Sequence, residues 1–326
     1  MSTWTSQDMP SQTGRTAIIT GTGGLGFQTA LALAGAGAEV IMAGRNTDKG
    51  AAAVQAIRQQ FPNASVAFRH LDLASLESIR TFAIRLRGAL GCLDILVNNA
   101  AVMNPPQRLT TSDGFELQLG TNYLGHFALT AHLLPLLIRS GRARVVTLSS
   151  VAARGARIDF DDLQSDHRYK PMAAYGQSKL ACLMFALEMQ ALSDELGWGV
   201  KSMAAHPGIA RTDLLTNGAG PWSAPGLTRR LAWFLFQPAP QGALPTLFAA
   251  TSPHVQGGSY VGPDRLGETR GHPTAARVPE LALDAAIRKR LWTESERLTN
   301  TFYPRGKLEA AGLTRSWLSH CLVEGQ

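Results

Sequence analysis

The 326-residue chain is poor in several features that would place it in other protein classes. It has three cysteines, Cys92, Cys182 and Cys321, far apart and odd in number. There is no C-x-x-C, and no Cys, His or acidic cluster has metal-ligand spacing, so neither a disulfide framework nor a bound metal is expected. Reduced thiols in a cytoplasmic protein are the expectation. Charged residues make up 17% and aromatics 7%, against 45% apolar residues, which is globular and not disordered composition. No apolar run approaches the ~18 residues of a membrane helix. The longest, Leu124 to Ile138, is broken by Gly125, His126, His132 and Pro135. The polar start "MSTWTSQDMPSQTGR" lacks the apolar core of a signal peptide. The net charge of +7 comes from scattered Lys and Arg, with short clusters at Arg229-Arg230 and Arg288-Lys289-Arg290. No aromatics interleave them. That argues against a nucleic-acid surface and for a solvated surface attractive to an anionic cofactor.

What the chain does have is a rhythm. "TAIITG", "EVIMAG", "SVAFRHLDL", "LDILVNNA" and "ARVVTLSS" read as strands. Helix-like stretches separate them, among them "FQTALALAGAG", "TDKGAAAVQAIRQQF" with Thr47 as an N-cap, and "SLESIRTFAIRLRG" with Ser75 and Ser78 as local caps. The strands are apolar throughout, as in a parallel sheet covered on both faces. A helix over Ala173–Leu196, a strand in "GVKSMAAHPG", a helix in "GALPTLFAAT", a strand in "GSYVG" and a closing helix in "PELALDAAIRKRLWTESERLT" continue the series. The expectation is a single α/β domain, a Rossmann-type doubly wound sheet of about seven strands with helices on both faces. Residues 1–14 read as an N-terminal extension, 15–300 as the domain, and 301–326 as a weakly patterned tail.

Between the first strand and the first helix lies "TGTGGLG", residues 20–26. Glycines there permit positive φ and close backbone approach, and they aim helix N–H groups at a pyrophosphate. Gly21, Thr22, Gly23, Gly24, Leu25 and Gly26 are therefore candidate phosphate contacts. The match to G-x-G-x-x-G would call for an acid at the end of the second strand, to hold a ribose 2′-hydroxyl. The chain has Gly44 and then Arg45 there, while Glu39 sits at the strand's other end. Arg45 suits a 2′-phosphate, which favours NADP(H) over NAD(H). Asp72 ends the third strand, as an adenine neighbour or a cap for the next helix.

In "AAYGQSKLA", Tyr175 and Lys179 are four positions apart, hence on one helix face. A phenol with a pKa near 10 is a poor base at neutral pH unless an ammonium stabilises its anion. Together with the glycine loop, Asp72-Leu73, "NNAA" at 98–101, Asn122 in "TNYLGHF", Ser150 in "VVTLSS" and "HPGIART" at 206–212, this pair makes residues 15–300 resemble the short-chain dehydrogenase/reductase family. The segment "IDFDDLQSDHRYKPMAAYGQSKLACLMF", with Ser150 and Tyr175 25 positions apart, most resembles the branch of retinol dehydrogenases, WW-domain oxidoreductase and protochlorophyllide reductase. That family's usual loop is T-G-x-x-x-G-x-G, so the loop here is one residue short.

The resemblance implies roles. Tyr175 is the general acid in reduction and base in oxidation; Lys179 lowers its pKa and holds the nicotinamide ribose. Ser150 bonds the substrate oxygen, and Ser149 is a strand-end hydroxyl. Asn122 holds a backbone kink and a relay water. Leu73, Asn98, Asn99, Ala100 and Ala101 line the adenosine side. Pro207, Gly208, Ile209 and Thr212 hold the nicotinamide. Trp222, Trp233, Phe234 and Phe236 fall in the family's substrate lid, residues 211–240, where aromatics suit a bulky apolar substrate; core packing is the alternative. His126 and His132 read as packing residues and His206 as a turn residue. The resemblance also implies a homodimer or homotetramer. The leading expectation is an NADP(H)-dependent oxidoreductase of a lipophilic alcohol or carbonyl compound. The rivals are an epimerase or dehydratase of the same superfamily and a non-catalytic NADP-sensing regulator.

Overall fold

The inner strands of the sheet are mostly apolar because both of their faces are covered. The structure, a computed structural model, describes residues 3–210 and 237–306. The strands are β1 (Thr16–Thr20), β2 (Glu39–Gly44), β3 (Val66–His70), β4 (Ile95–Asn98), β5 (Arg144–Leu148), β6 (Lys201–Ala205), β7 (Tyr260–Arg265) and β8 (Arg270–Ala275). Their spatial order is β3-β2-β1-β4-β5-β6-β7-β8. β1 to β7 run parallel and β8 pairs antiparallel to β7. This is the doubly wound α/β sheet, with one strand more than the sequence suggests.

Side chains alternate across the sheet and split the core in two. Ile18, Leu96, Val145 and Ala204 belong to one buried cluster. Ala17, Ile19, Ile95, Val97, Val146, Met203 and Ala205 belong to the other. The first is covered by α3 (Leu76–Ala89), α5 (Gly125–Ser140), α6 (Pro171–Leu196) and α9 (Ala285–Thr299). The second is covered by α1 (Gly24–Gly35), α2 (Thr47–Gln60) and α7 (Ala239–Thr251). Short helices α4 (Leu117–Leu119) and α8 (Glu280–Leu283) complete the set among the described residues. Asn46, not Thr47, caps α2 through its side chain. Ser75 caps α3 and accepts from Ser78 N–H. Asp284 caps α9 and splits the closing helical run in two.

Both chain ends contribute to packing. Gln12 is fully buried, and Trp4 meets Phe248 edge-on at 5.2 Å. Tyr303 is buried against Phe127, Trp198 and Trp292, and its hydroxyl donates to Phe127 O at 2.8 Å. Cys92 and Cys182 are free thiols, and Cys321 lies outside the described residues.

The strand order reverses between β1 and β4, and the crevice above their carboxyl ends is where this class of sheet binds ligands. Two further features shape that edge. Residues Gly120–Leu124 form a π-helical turn leading into α5, a widening common at functional sites. The β7–β8 hairpin folds back over the turn that follows β6.

Candidate active site

The glycine loop is built by steric necessity. Gly21 has φ +90°, and a Cβ there would sit 2.8 Å from Asn99 Nδ2. Gly21 N–H donates to Ala43 O at 2.7 Å, which lays the loop across the end of β2. Thr20 Oγ1 accepts the N–H groups of Asn99 and Ala100 at 2.9 and 3.0 Å, which holds the "NNAA" segment beside it. Helix α1 starts at Gly24 with no side-chain cap, and a Cβ on Gly23 would meet open space. Its first N–H groups therefore face the crevice.

A cavity of about 680 Å³ opens there. Among the residues expected to hold a cofactor, Gly21, Thr22, Gly23, Gly24, Leu25, Arg45, Asp72, Leu73, Asn99, Ala100 and Ala101 line it. Gly26 packs beneath the loop instead, where a Cβ would sit 2.4 Å from Gly21 O. Asp72 lines the cavity and accepts Ala74 N–H at 2.9 Å, so it shapes the turn before α3. The lining also includes residues that carry no signal in the sequence, among them Asn46, Lys49 and Thr121. Lys49 lies in the first turn of α2, a second cation in the cavity wall that holds Arg45. Thr121 Oγ1 is buried without a hydrogen-bond partner, a cost that a bound polar group would relieve. Uncapped helix N–H groups, two cations and an orphaned hydroxyl fit a dinucleotide.

The second group of residues converges from β5, the π turn and α6. Ser150 follows β5; its hydroxyl accepts Ala152 N–H at 3.2 Å and lowers the pKa of the nearby Tyr175 phenol. Tyr175 is 5% exposed. Burial pushes its pKa up to about 12, against the pull of the Ser150 hydrogen bond. Lys179 is buried, and burial lowers its pKa. Its ammonium donates to Leu148 O at 3.0 Å and stands 6.0 Å from the Tyr175 ring centre. Ser149 Oγ donates to Lys179 O at 2.8 Å and anchors α6 to β5.

The Asn122 side chain locks onto the Val102 backbone, accepting at 2.7 Å and donating at 2.9 Å. The Asn122 backbone carbonyl accepts from His126 Nδ1 at 2.8 Å and from Cys182 Sγ at 3.1 Å. His126 Nε2 faces Thr20 Oγ1 at 2.9 Å, so this histidine joins the glycine loop to the π turn. Burial lowers its pKa to about 4, which keeps it neutral.

Pro207, Gly208 and Ile209 form a turn after β6 outside the cavity wall. Gly208 has φ +63°, and a Cβ there would sit 2.3 Å from Thr269 O. Ile209 N–H donates to that same carbonyl at 2.8 Å. Thr212 and the aromatics Trp222, Trp233, Phe234 and Phe236 lie outside the described residues.

This arrangement can bind a dinucleotide and move a proton at a phenol beside it. The chain belongs to the short-chain dehydrogenase family, whose profile, described as "short chain dehydrogenase", matches residues 15–219. It is an oxidoreductase of a family that uses a nicotinamide cofactor. Mouse polyprenol dehydrogenase is 41% identical over 299 residues, covering 89% of this chain and 85% of that one. Human retinol dehydrogenase 13 is 42% identical over 298 residues, covering 89% and 86%. Among solved structures, an uncharacterized protein from Mycobacterium paratuberculosis superposes with a TM-score of 0.77 at 40% identity, covering 93% of this chain and all of that one.

Proposed function

We propose that the protein transfers hydride between NADP(H) and a carbonyl or alcohol group of a bulky apolar molecule, with Tyr175 as general acid and base. The observation that carries this reading is the meeting of Ser150, just after β5, with Tyr175 and Lys179 on α6, a helix joined through Ser178, Asn122 and Val102 to the wall of the dinucleotide cavity. Bound in the crevice, the nicotinamide supplies or accepts the hydride. The Tyr175 hydroxyl, protonated at neutral pH, donates its proton to the carbonyl oxygen in reduction. Ser150 donates a hydrogen bond to that oxygen and polarises it. Lys179 stabilises the phenolate that remains and returns the phenol toward a useful pKa. Asn122 keeps the π turn in shape through the Val102 backbone.

Arg45 and Lys49 support the preference for NADP(H). Gly44 leaves no acid at the end of β2, and a Cβ there would already be 3.2 Å from Thr22. Two cations then answer a 2′-phosphate. An apolar substrate is supported by Met172, one helical turn before Tyr175 and 48% exposed, and by Ile209, 36% exposed on the turn after β6. Both named relatives take apolar alcohols by their names, polyprenol and retinol. A homodimer or homotetramer remains our expectation for the assembly. The test is oxidation of NADPH and NADH with a panel of bulky apolar ketones, aldehydes and quinones. Turnover favouring NADPH and lost in Tyr175→Phe is the expected result. NADPH binding without turnover on any member favours the regulator instead.

A further inference from the structure

The tip of the β7–β8 hairpin is unusual in its backbone. Leu266, Gly267 and Glu268 all have positive φ, at 49°, 65° and 67°. Left-handed backbone costs a non-glycine residue roughly 1 kcal/mol or more, so something must hold Leu266 and Glu268 there. Thr269 holds the turn from within, its Oγ1 donating to Leu266 O at 2.8 Å.

The result of that conformation is to aim the Glu268 carboxylate inward. Its Oε2 receives Arg154 at 2.6 Å and His206 Nε2 at 2.9 Å. Its Oε1 accepts Arg277 N–H at 3.0 Å. Burial pushes the carboxyl pKa up, but the Arg277 amide, His206 and Arg154 outweigh it and hold it below the ordinary value. His206 is fully buried and, with burial lowering its pKa to about 4, neutral. Its Nδ1 accepts Gly208 N–H at 3.3 Å, which fixes the tautomer: the proton is on Nε2 and points at Glu268. Gly262 makes room, since a Cβ there would meet His206 Nε2 at 2.0 Å. Arg154 also donates to Gly267 O at 2.8 Å.

One carboxylate thus ties three segments: the stretch just after Ser150, the 206–209 turn after β6, and the hairpin. Hydride transfer depends on the mutual placement of the first two, where an error of about 1 Å costs up to ~100-fold in rate. For stability alone, an ion pair whose side chains are 35% and 19% exposed adds at most about 1 kcal/mol.

We infer that Glu268 is a positioning residue for the reaction, holding the Ser150 segment and the 206–209 turn at their working separation through Arg154 and His206. This rests on the oxidoreductase reading above. The test compares Glu268→Leu, Glu268→Gln, Arg154→Met and the Leu/Met double variant, each assayed well below its melting temperature. NADPH affinity is read from intrinsic fluorescence, and kcat and KM from the active carbonyl substrate. Glu268→Leu is expected to lower kcat by about 10- to 100-fold, raise KM for substrate by less than about 3-fold, and weaken NADPH by about 10-fold. Glu268→Gln keeps one acceptor oxygen, enough for His206 or for Arg277 but not for both, and should restore part of kcat. Arg154→Met should lower kcat in turn, and the double variant should lose less than the product of the two single losses, because both remove the same Arg154–Glu268 contact. Wild-type kcat and NADPH affinity in Glu268→Leu, with only its melting temperature lowered, would overturn the inference. So would losses that multiply in the double variant. If Glu268→Leu does not fold, unchanged kcat in Arg154→Met overturns it. If the wild type turns over nothing, the oxidoreductase reading fails and the NADPH affinities judge the brace alone, unchanged affinity in Glu268→Leu overturning it.

Discussion

The dinucleotide half of the crevice and the carbonyl half are held together by different kinds of contact. In the first, short links made by backbone N–H groups dominate: Gly21 N–H on Ala43 O, and Asn99 and Ala100 N–H on the Thr20 hydroxyl. In the second, long side chains reach across the fold: Lys179 to Leu148 O, Arg154 and His206 to Glu268. A backbone-built cradle demands particular residues at fixed local spacing. A side-chain-built brace demands only that the right partners meet, wherever the chain brings them.

Four experiments sharpen that contrast, in descending order of expected effect. Tyr175→Phe removes the only proton donor in the mechanism and should lower kcat by about 1,000-fold or more, with NADPH affinity changed less than about 3-fold. An unchanged kcat would remove the carbonyl half from the chemistry. Second, each half holds one buried neutral histidine, His126 and His206, with pKa lowered from 6.5 to about 4. The unfolded chain binds these protons between pH 6.5 and 4 and the fold does not, so stability is present above pH 6.5 and is lost as pH falls through that window. The loss is about 2 kcal/mol per histidine near pH 5. Urea denaturation from pH 7 to 5 should show it, with a shallower slope in His126→Gln and in His206→Gln.

Third, Gly26→Ala should destabilise the protein by about 1–3 kcal/mol, because the added methyl meets the Gly21 carbonyl. Denaturant midpoints check this, and a neutral result would mean that the loop is not packed by steric fit. Last, Arg45→Ala should weaken NADPH by about 10-fold and NADH by less than about 2-fold. Equal changes for both nucleotides would separate Arg45 from 2′-phosphate recognition.

The same contrast explains how much was legible in the sequence. Strands β1, β2, β4 and β5 declare themselves as largely apolar runs before a break, and β3, β6 and β7 by shorter apolar stretches in the same rhythm. β8 does not: its "RGHPTA" is half-exposed and contains Gly271 and Pro273, both depleted in strands. The glycine loop and the Tyr175/Lys179 spacing are local and readable. Lys49 is not, since it looks like any surface residue of α2 until the fold turns it toward Arg45. The kink at Asn122 came only by resemblance, because a π turn differs from an α turn by one bond in the ladder. Glu268 and its partners share no periodicity, and no local pattern foretells that they meet. Thr47 shows a smaller limit: a good cap next to a better one, Asn46, shifts a helix start by one residue.

The eighth strand also bears on how copies of this protein can meet. By pairing with β7, it closes an edge that a parallel sheet would otherwise offer to a neighbouring molecule. Its own outer edge carries Pro273, which has no N–H to give, and the opposite rim of the sheet carries the exposed Arg69 and His70. Continuation of the described sheet from one molecule into the next is thus discouraged on both sides.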